Sequence, residues 1–258
     1  RVSAPRSRLE MLASAYDLIV IGGGITGAGI LREAVRNGIS TLLLERADFA
    51  SGTSGGSSKL VHGGLRYLQS GQWRLTLESV RERERLMAQA PGLVDEQVFL
   101  LPVLRGQRPG RLLLQAGLWV YDRMGGRRRS SWLERSSVLA LEPLLEHPDL
   151  IGAMQFVDAS TDDTRLVQRL IQDSRRAGGT ALNYAPVDDL QVSHGRVTGV
   201  RVRDAVSGAG RELQAGVVIN ATGVWARQFA AATHDAPALR PLRGSHFVFP
   251  ASRLPISH

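Results

Sequence analysis

The sequence predicts an α/β fold: a dinucleotide-binding parallel sheet with a second, antiparallel domain inserted into it. Three features predict it. An apolar strand runs directly into a glycine-rich turn and a helix over residues 16–37, a second apolar strand ends in the acid Glu45, and a distant strand ends in Ala221-Thr222-Gly223.

The bounds agree with a globular protein. At 258 residues the chain holds one large or two smaller domains, and no apolar run approaches the length that crosses a bilayer. Residues 1–15 are basic without an apolar core and are expected to be a disordered lead-in, not a secretory signal. The absence of cysteine excludes disulfides, thiolate catalysis and cysteine-ligated metals, and no metal site is expected; it suits a reducing cytoplasm. The net charge of +8 allows nucleic acid, anionic lipid or a phosphorylated substrate as partner. No basic block interleaves with aromatic residues, so no nucleic-acid partner is expected.

Tyr16 to Ile21 (YDLIVI) suits a buried parallel strand. Gly22-Gly23-Gly24-Ile25-Thr26-Gly27 follows at once, and Ala28, Leu31, Ala34 and Val35 then recur at helical spacing, with Gly38 as the cap. Ile39 to Leu44 is the second strand. In this setting Gly22 permits a tight turn, Gly24 admits a pyrophosphate and Gly27 lets helix and strand approach. The helix N-terminus offers N–H groups to phosphate, and Glu45, about twenty residues on, can accept ribose hydroxyls. These residues do not separate NAD from FAD.

What separates them lies downstream. Thr164 to Ala177 reads as an amphipathic helix, followed by strands near 180–186, 188–193, 196–203 and 211–215. Ala215 to Ile219 then runs into Ala221-Thr222-Gly223 and a helix-like VWARQFAAA. An antiparallel meander placed before an A-T-G strand suits FAD. It fits the two-dinucleotide-fold arrangement of glutathione-reductase-like and amino-acid-oxidase-like flavoproteins.

Residues 46–68 follow the acid-tipped strand, and their glycines and serines can run along a cofactor. Gly52, Ser54, Ser57 and Ser58 can donate to phosphate or ribityl oxygens, and Gly63-Gly64 can admit a flat ring. Lys59, the sole lysine among 32 lysine and arginine residues, joins His62, Arg66 and Tyr67 as cation, proton carrier, anion fork and phenol. The bland alternative makes Lys59 and Arg66 surface charges and His62 a satisfied core residue.

Five segments, YDLIVIGGGITGAGI, SSKLVHGGLRYL, DDTRLV, NATGVWA and RGSHFV, resemble the FAD-dependent, aerobic and quinone-linked glycerol-3-phosphate dehydrogenases. The resemblance implies oxidation of sn-glycerol 3-phosphate to dihydroxyacetone phosphate on FAD, with electrons passed to quinone. It also implies a homodimer that is cytoplasmic and peripherally bound to the inner membrane. By motif, Gly22, Gly24, Gly27, Glu45 and Arg46 would bind the adenosine diphosphate half. Ser57, Ser58, Lys59, His62 and Gly63 would lie along the ribityl chain and flavin, with Val187, Ala221 and Gly223 flanking the cofactor. Arg66 and Tyr67 would face substrate, and His62 or His246 would be the base.

The expected division is an FAD-binding domain over 16–95 and 150–233 and a substrate domain over 96–149 and 234–258. Members of that family are roughly twice as long, so the substrate domain and the last cofactor-fold elements are expected to be incomplete at the C-terminus. A helix from Arg111 to Met124 would gather Leu112, Leu113, Ala116, Trp119 and Val120 on one side, with Tyr121 as an interfacial residue. It either packs as a core helix with solvated ends or lies in a headgroup plane. The charged helix over 74–89 reads as a solvated face. The rival functions are an FAD amine or amino-acid oxidase, an oxygen-reducing glycerol-phosphate oxidase, and a non-catalytic FAD-binding fragment.

Overall fold

A computed structural model describes residues 7–232 and 239–256. The chain divides into two compact units, Arg1–Ser57 with Asp163–Gly244 and Ser58–Asp162 with Ser245–His258. In the first unit, β1 (Ala15–Ile21) passes through the glycine turn into α1 (Ile25–Arg36), and β2 (Thr41–Leu44) follows. Gly38, at φ +74°, turns the chain between α1 and β2 in a conformation glycine adopts without strain.

The second unit then begins with β3 (Leu60–Val61), α2 (Leu65–Gln69), α3 (Trp73–Gln89) and β4 (Val94–Leu104). It continues with α4 (Arg111–Gly125), β5 (Ser131–Glu134), α5 (Arg135–Leu141) and β6 (Leu150–Thr161). β6 is the spine of an antiparallel sheet. β4 follows one edge along its length, while β5 and β3 share the other, pairing with Gly152–Gln155 and with Ala159–Ser160. Val103, Leu114, Leu118 and Met154 pack α4 on this sheet, and Val138, Leu150 and Ala153 form a second cluster under α5.

The chain re-enters the first unit as α6 (Asp163–Arg176), β7 (Thr180–Leu182), β8 (Val187–Ser193), β9 (Arg196–Arg203) and β10 (Gly210–Asn220). The six-stranded sheet has the order β7-β2-β1-β10-β9-β8. Strand alternation explains its two cores. Leu18, Val20 and Leu43 face α1 and α6, meeting Ala28, Leu31, Val167 and Ile171. Ile19, Ile21, Leu42 and Leu44 face the other way, into a cluster with Leu9, Val200, Val202 and Leu213. Burying each such aliphatic side chain contributes about 1.5–3 kcal/mol.

Several sequence expectations need correction. The first switch between units falls at Ser57/Ser58 and not near 95, and the return falls at Asp162/Asp163 and not near 150. The cause is β3, a two-residue strand too short to register as a pattern, which pairs with the far end of β6. Within the expected disordered lead-in, Arg8–Met11 is a 3₁₀ turn, and Leu9 is buried. Arg211 donates to the carbonyls of Leu9 and Leu12, and Ser7 and Arg8 bind Asp204. Residues 1–6 of the expected lead-in, 233 of the expected FAD-binding domain, and 234–238 and 257–258 of the expected substrate domain lie outside the described residues.

The strand near 180–186 is shorter, and it pairs in parallel with β2, outside the meander. The strands expected at 211–215 and 215–219 are one. β10 pairs antiparallel with β9 through Gly210–Gln214 and parallel with β1 from Gln214 to Asn220. VWARQFAAA lies in a 3₁₀ run, Gly223–Ala232. The strand-like FVFP forms no strand, and Phe247 and Val248 are exposed. A strand forms where its N–H and C=O groups find a partner, and hydrophobic pattern does not supply one.

Candidate functional site

A cleft of about 760 Å³ opens at the carboxyl ends of β1, β2 and β10, where open α/β sheets place their ligands. Its floor is tied by main-chain bonds. Gly22 N–H donates to Leu44 at 2.8 Å, Ala221 N–H to Ile21 at 2.8 Å and Ala50 N–H to Gly23 at 3.0 Å. Gly22, at φ +112°, passes so near the A-T-G strand that a Cβ would stand 2.5 Å from the Ala221 carbonyl oxygen. At Gly27 a Cβ would stand 1.9 Å from the Gly22 carbonyl oxygen, so α1 can sit on the turn only because that position is bare.

Glu45 holds the turn from the side. Its Oε2 accepts Gly23 N–H at 2.6 Å and its Oε1 accepts Ala47 N–H at 2.8 Å. Each oxygen keeps a second lone pair for a hydroxyl at the cleft. Ser54 accepts the Ile25 N–H at 2.9 Å, so it caps α1 while its own O–H is available to donate. Arg46 stacks 4.1 Å over the Trp225 ring, and both line the cleft. Sequence reasoning missed Trp225, although it lies two residues past the A-T-G glycine.

Of the residues expected to bind cofactor, Gly22, Gly24, Glu45, Arg46, Val187, Ala221 and Gly223 all line this cleft, and Gly27 packs beneath the turn. Ser57, expected along a ribityl chain, gives its N–H and hydroxyl to Asp163 at 3.1 and 2.7 Å. The reason is that Asp163 is a buried carboxylate at the start of α6 and needs donors.

In the second unit Ser58, Lys59, His62 and Arg66 are exposed, and the His62 ring lies 6.4 Å from that of Tyr67. The Lys59 carbonyl accepts Thr161 N–H at 2.9 Å. The glycine pair has a use within the fold itself. A Cβ on Gly63 would stand 2.3 Å from the Tyr121 hydroxyl and 2.4 Å from Val80. Gly64, at φ +74°, starts α2. His246 lies in an exposed run over 239–256 that forms neither helix nor strand.

The same unit holds a buried polar group that the sequence reading passed over. Asp158 on β6 accepts from Arg83 at 2.6 Å, from the Tyr121 hydroxyl at 2.9 Å and from Gly63 N–H at 3.0 Å. Tyr121 is therefore no interfacial residue, and Arg83, 3% exposed, is no part of a solvated face. Burial and then the Asp158 charge push the Tyr121 phenol well above its usual range, so it stays a donor. Burial pulls the Arg83 guanidinium down, but the Asp158 hydrogen bond and charge prevail and hold it protonated. Thr76, Val80 and Arg83 share the buried face of α3, and that spacing was the available signal.

The pattern of the FAD dependent oxidoreductase family matches residues 17–258. The chain belongs to the FAD-dependent oxidoreductases. It is 35% identical over 98% of its length to an aerobic glycerol-3-phosphate dehydrogenase of Bacillus subtilis, covering 47% of that protein. It is 37% identical over 93% of its length to a glycerol-3-phosphate dehydrogenase of Mycobacterium leprae, covering 42%. The crystal structure of the Bacillus halodurans glycerol-3-phosphate dehydrogenase complexed with FAD superposes with a TM-score of 0.68 at 32% identity. That match covers 88% of this chain and 38% of that one. The chain thus spans about half the length, or less, of the relatives it matches.

As a member of this family the chain takes FAD as its cofactor, and the cleft fits the adenosine diphosphate half. The α1 N-terminus suits an anion, and the Glu45 carboxylate suits ribose hydroxyls. Fold class and cofactor both agree with the sequence expectation.

Proposed function

We propose that this flavoprotein oxidises sn-glycerol 3-phosphate to dihydroxyacetone phosphate and passes the electrons to a quinone. The observation that carries the substrate is the 35% identity across 98% of the chain to an aerobic glycerol-3-phosphate dehydrogenase, since the cleft alone speaks only for FAD. Bound FAD would supply the acceptor for hydride leaving the carbinol carbon C2, at the flavin N5.

The chain's own residues bind, orient and move the proton. Gly22, Gly24 and the α1 N-terminus would hold the pyrophosphate, while Glu45 would hold ribose and Arg46 would flank the adenosine. Lys59 would serve the flavin, and Arg66 would offer a two-pronged grip on the substrate phosphate. Tyr67 orients the substrate. An imidazole nitrogen of His62 or His246 would accept the C2 hydroxyl proton.

Membrane contact is part of the same reading. α4 buries Leu114 and Leu118 and leaves Leu112, Leu113 and Trp119 exposed, with Arg123 stacked 5.3 Å from the Trp119 ring. An apolar face edged by arginine supports a peripheral seat at a headgroup layer. Among the described residues no helix is long and apolar enough to span a membrane.

The test uses full-length, flavin-loaded protein. Flavin bleaching by glycerol 3-phosphate, quinone-analogue reduction and little peroxide release are expected. Bleaching by amino acids alone would place the chain with the amine oxidases, and stoichiometric peroxide would make oxygen the acceptor.

A further inference from the structure

The segment that carries His62, Arg66 and Tyr67 is held along β6 in an unusual way. Thr161 N–H donates to the Lys59 carbonyl, and Leu60 and Val61 then pair with Ser160 and Ala159. The ladder stops there. At the next step a side chain replaces the backbone: the Asp158 carboxylate takes the Gly63 N–H at 3.0 Å. One residue on, Gly64 adopts φ +74° and the helical turn bearing Arg66 and Tyr67 begins.

The carboxylate is itself fixed from two other elements. Arg83 of α3 reaches it at 2.6 Å and the Tyr121 hydroxyl of α4 at 2.9 Å. Arg83 continues to Glu84 at 2.8 Å, and Glu84 accepts from Arg129 at 3.0 Å. Arg83, Tyr121 and Asp158 are all at least 90% buried. Burying an ion pair stabilises a fold less than apolar packing of the same volume does. An Arg83–Asp158 pair alone would also tie α3 to β6 without Gly63. The bond to Gly63 gives the cluster a different product, a fixed peptide plane between His62 and the Arg66 turn.

We propose that Asp158, held by Arg83 and Tyr121, is a positioning residue for the proposed reaction: it sets the direction in which His62, Arg66 and Tyr67 project. It rests on the assignment of that segment to the flavin and substrate given above. Arg83 and Tyr121 act through Asp158, and none of the three is called on to touch substrate.

The test compares Asp158→Asn and Tyr121→Phe with wild type as flavin-loaded full-length protein. Because Asp158→Asn leaves buried Arg83 with Glu84 as its one remaining carboxylate and can fail to fold, Tyr121→Phe, which deletes only a hydroxyl, is the second variant. Amide hydrogen exchange at Gly63 and over 62–67 is expected to quicken at least tenfold in the first and about threefold in the second. The β4–β6 ladder should exchange as in wild type. Turnover per bound flavin should fall in the same order, at least tenfold and about threefold, at unchanged flavin content. Unchanged exchange over 62–67 overturns the proposal, as does faster exchange across the whole sheet, which would mark a general stabiliser. Local loosening with full turnover per flavin overturns it too, leaving only an anchor. If wild-type flavin is not bleached by glycerol 3-phosphate, the proposed substrate falls instead. The flavin absorbance band then decides positioning: a band shifted in the loosened variants supports it, and an unshifted band overturns it.

Discussion

Replacing Gly27 by alanine adds one methyl group at the point where α1 rests on the glycine turn. That Cβ would stand 1.9 Å from the Gly22 carbonyl oxygen, 3.1 Å from its carbon and 3.5 Å from Leu43. The oxygen belongs to the backbone, and Gly22 N–H is bonded to Leu44, so the turn cannot step aside alone. The helix must withdraw by about 1 Å, loosening Ala28 and Leu31 from the close-packed core. Overpacking of this kind costs about 1–3 kcal/mol, against up to about 1 kcal/mol returned by alanine's helix propensity. The same withdrawal carries the α1 N-terminus off the pyrophosphate, and each 1.4 kcal/mol lost there weakens binding about tenfold. Gly29→Ala is the matched control, since on the same helix its Cβ meets nothing within 4 Å. Thermal melting and the ratio of flavin to protein absorbance read both variants. Gly27→Ala should melt several degrees lower and retain less than half its flavin, while Gly29→Ala matches or exceeds wild type. Equal behaviour of the two would refute the close contact and the reading of the turn built on it.

Three further outcomes are expected. Glu45→Gln replaces an acceptor of two N–H groups by an amide with one acceptor, which should cost about 1–3 kcal/mol and weaken flavin binding tenfold or more, measured by flavin titration. Arg66→Ala should raise KM for glycerol 3-phosphate about thirtyfold at normal flavin content, with Arg66→Lys recovering part; unchanged kinetics would remove Arg66 from the site. Burial acts to raise the Asp204 carboxyl, but N–H groups of Val206 and Arg8 and the Arg8 guanidinium outweigh it and bring it down to about 2. Its stabilisation is therefore present above the unfolded value near 3.8 and lost as pH falls toward 2. Asp204→Asn should lower stability by about 1–2 kcal/mol at pH 6, with the gap closing between pH 4 and 2 in melting experiments. A gap that stayed constant would exclude ionised Asp204 as the cause.

The glycine-turn side of the cleft was legible in the sequence because it is a local pattern. The apolar run before Gly22, the glycine spacing and the acid at Glu45 all lie within thirty residues, and each has one physical use. The second unit was less legible. β3 is two residues long and exists only through its partner on β6, so no periodicity announces it. The charged string RERER hides Arg83 among solvated neighbours, and only a carboxylate 75 residues away decides that it is buried. Tyr121 was misread for the same reason: an amphipathic tyrosine suits a membrane interface and a buried acid equally well, and tertiary contact makes the choice. That Gly63 also makes room for Tyr121 and Val80 was hidden in the same way.

The change of partner within β10 has an evolutionary reach. Gln214 pairs with Gly199 on one side and with Ala15 on the other, so one strand is shared between the hairpins and the parallel sheet. A one-residue slip against β9 would turn every following side chain to the opposite face, and would move Ala221 away from Gly22. Insertions inside β9 or β10 should therefore be purged by selection even though they lie far along the chain from the glycine turn. The loops at His194-Gly195 and Ser207-Gly208 carry no such linkage. Relatives of this chain are expected to vary in length at those two tips and to keep the strand between them and Ala221 free of insertions.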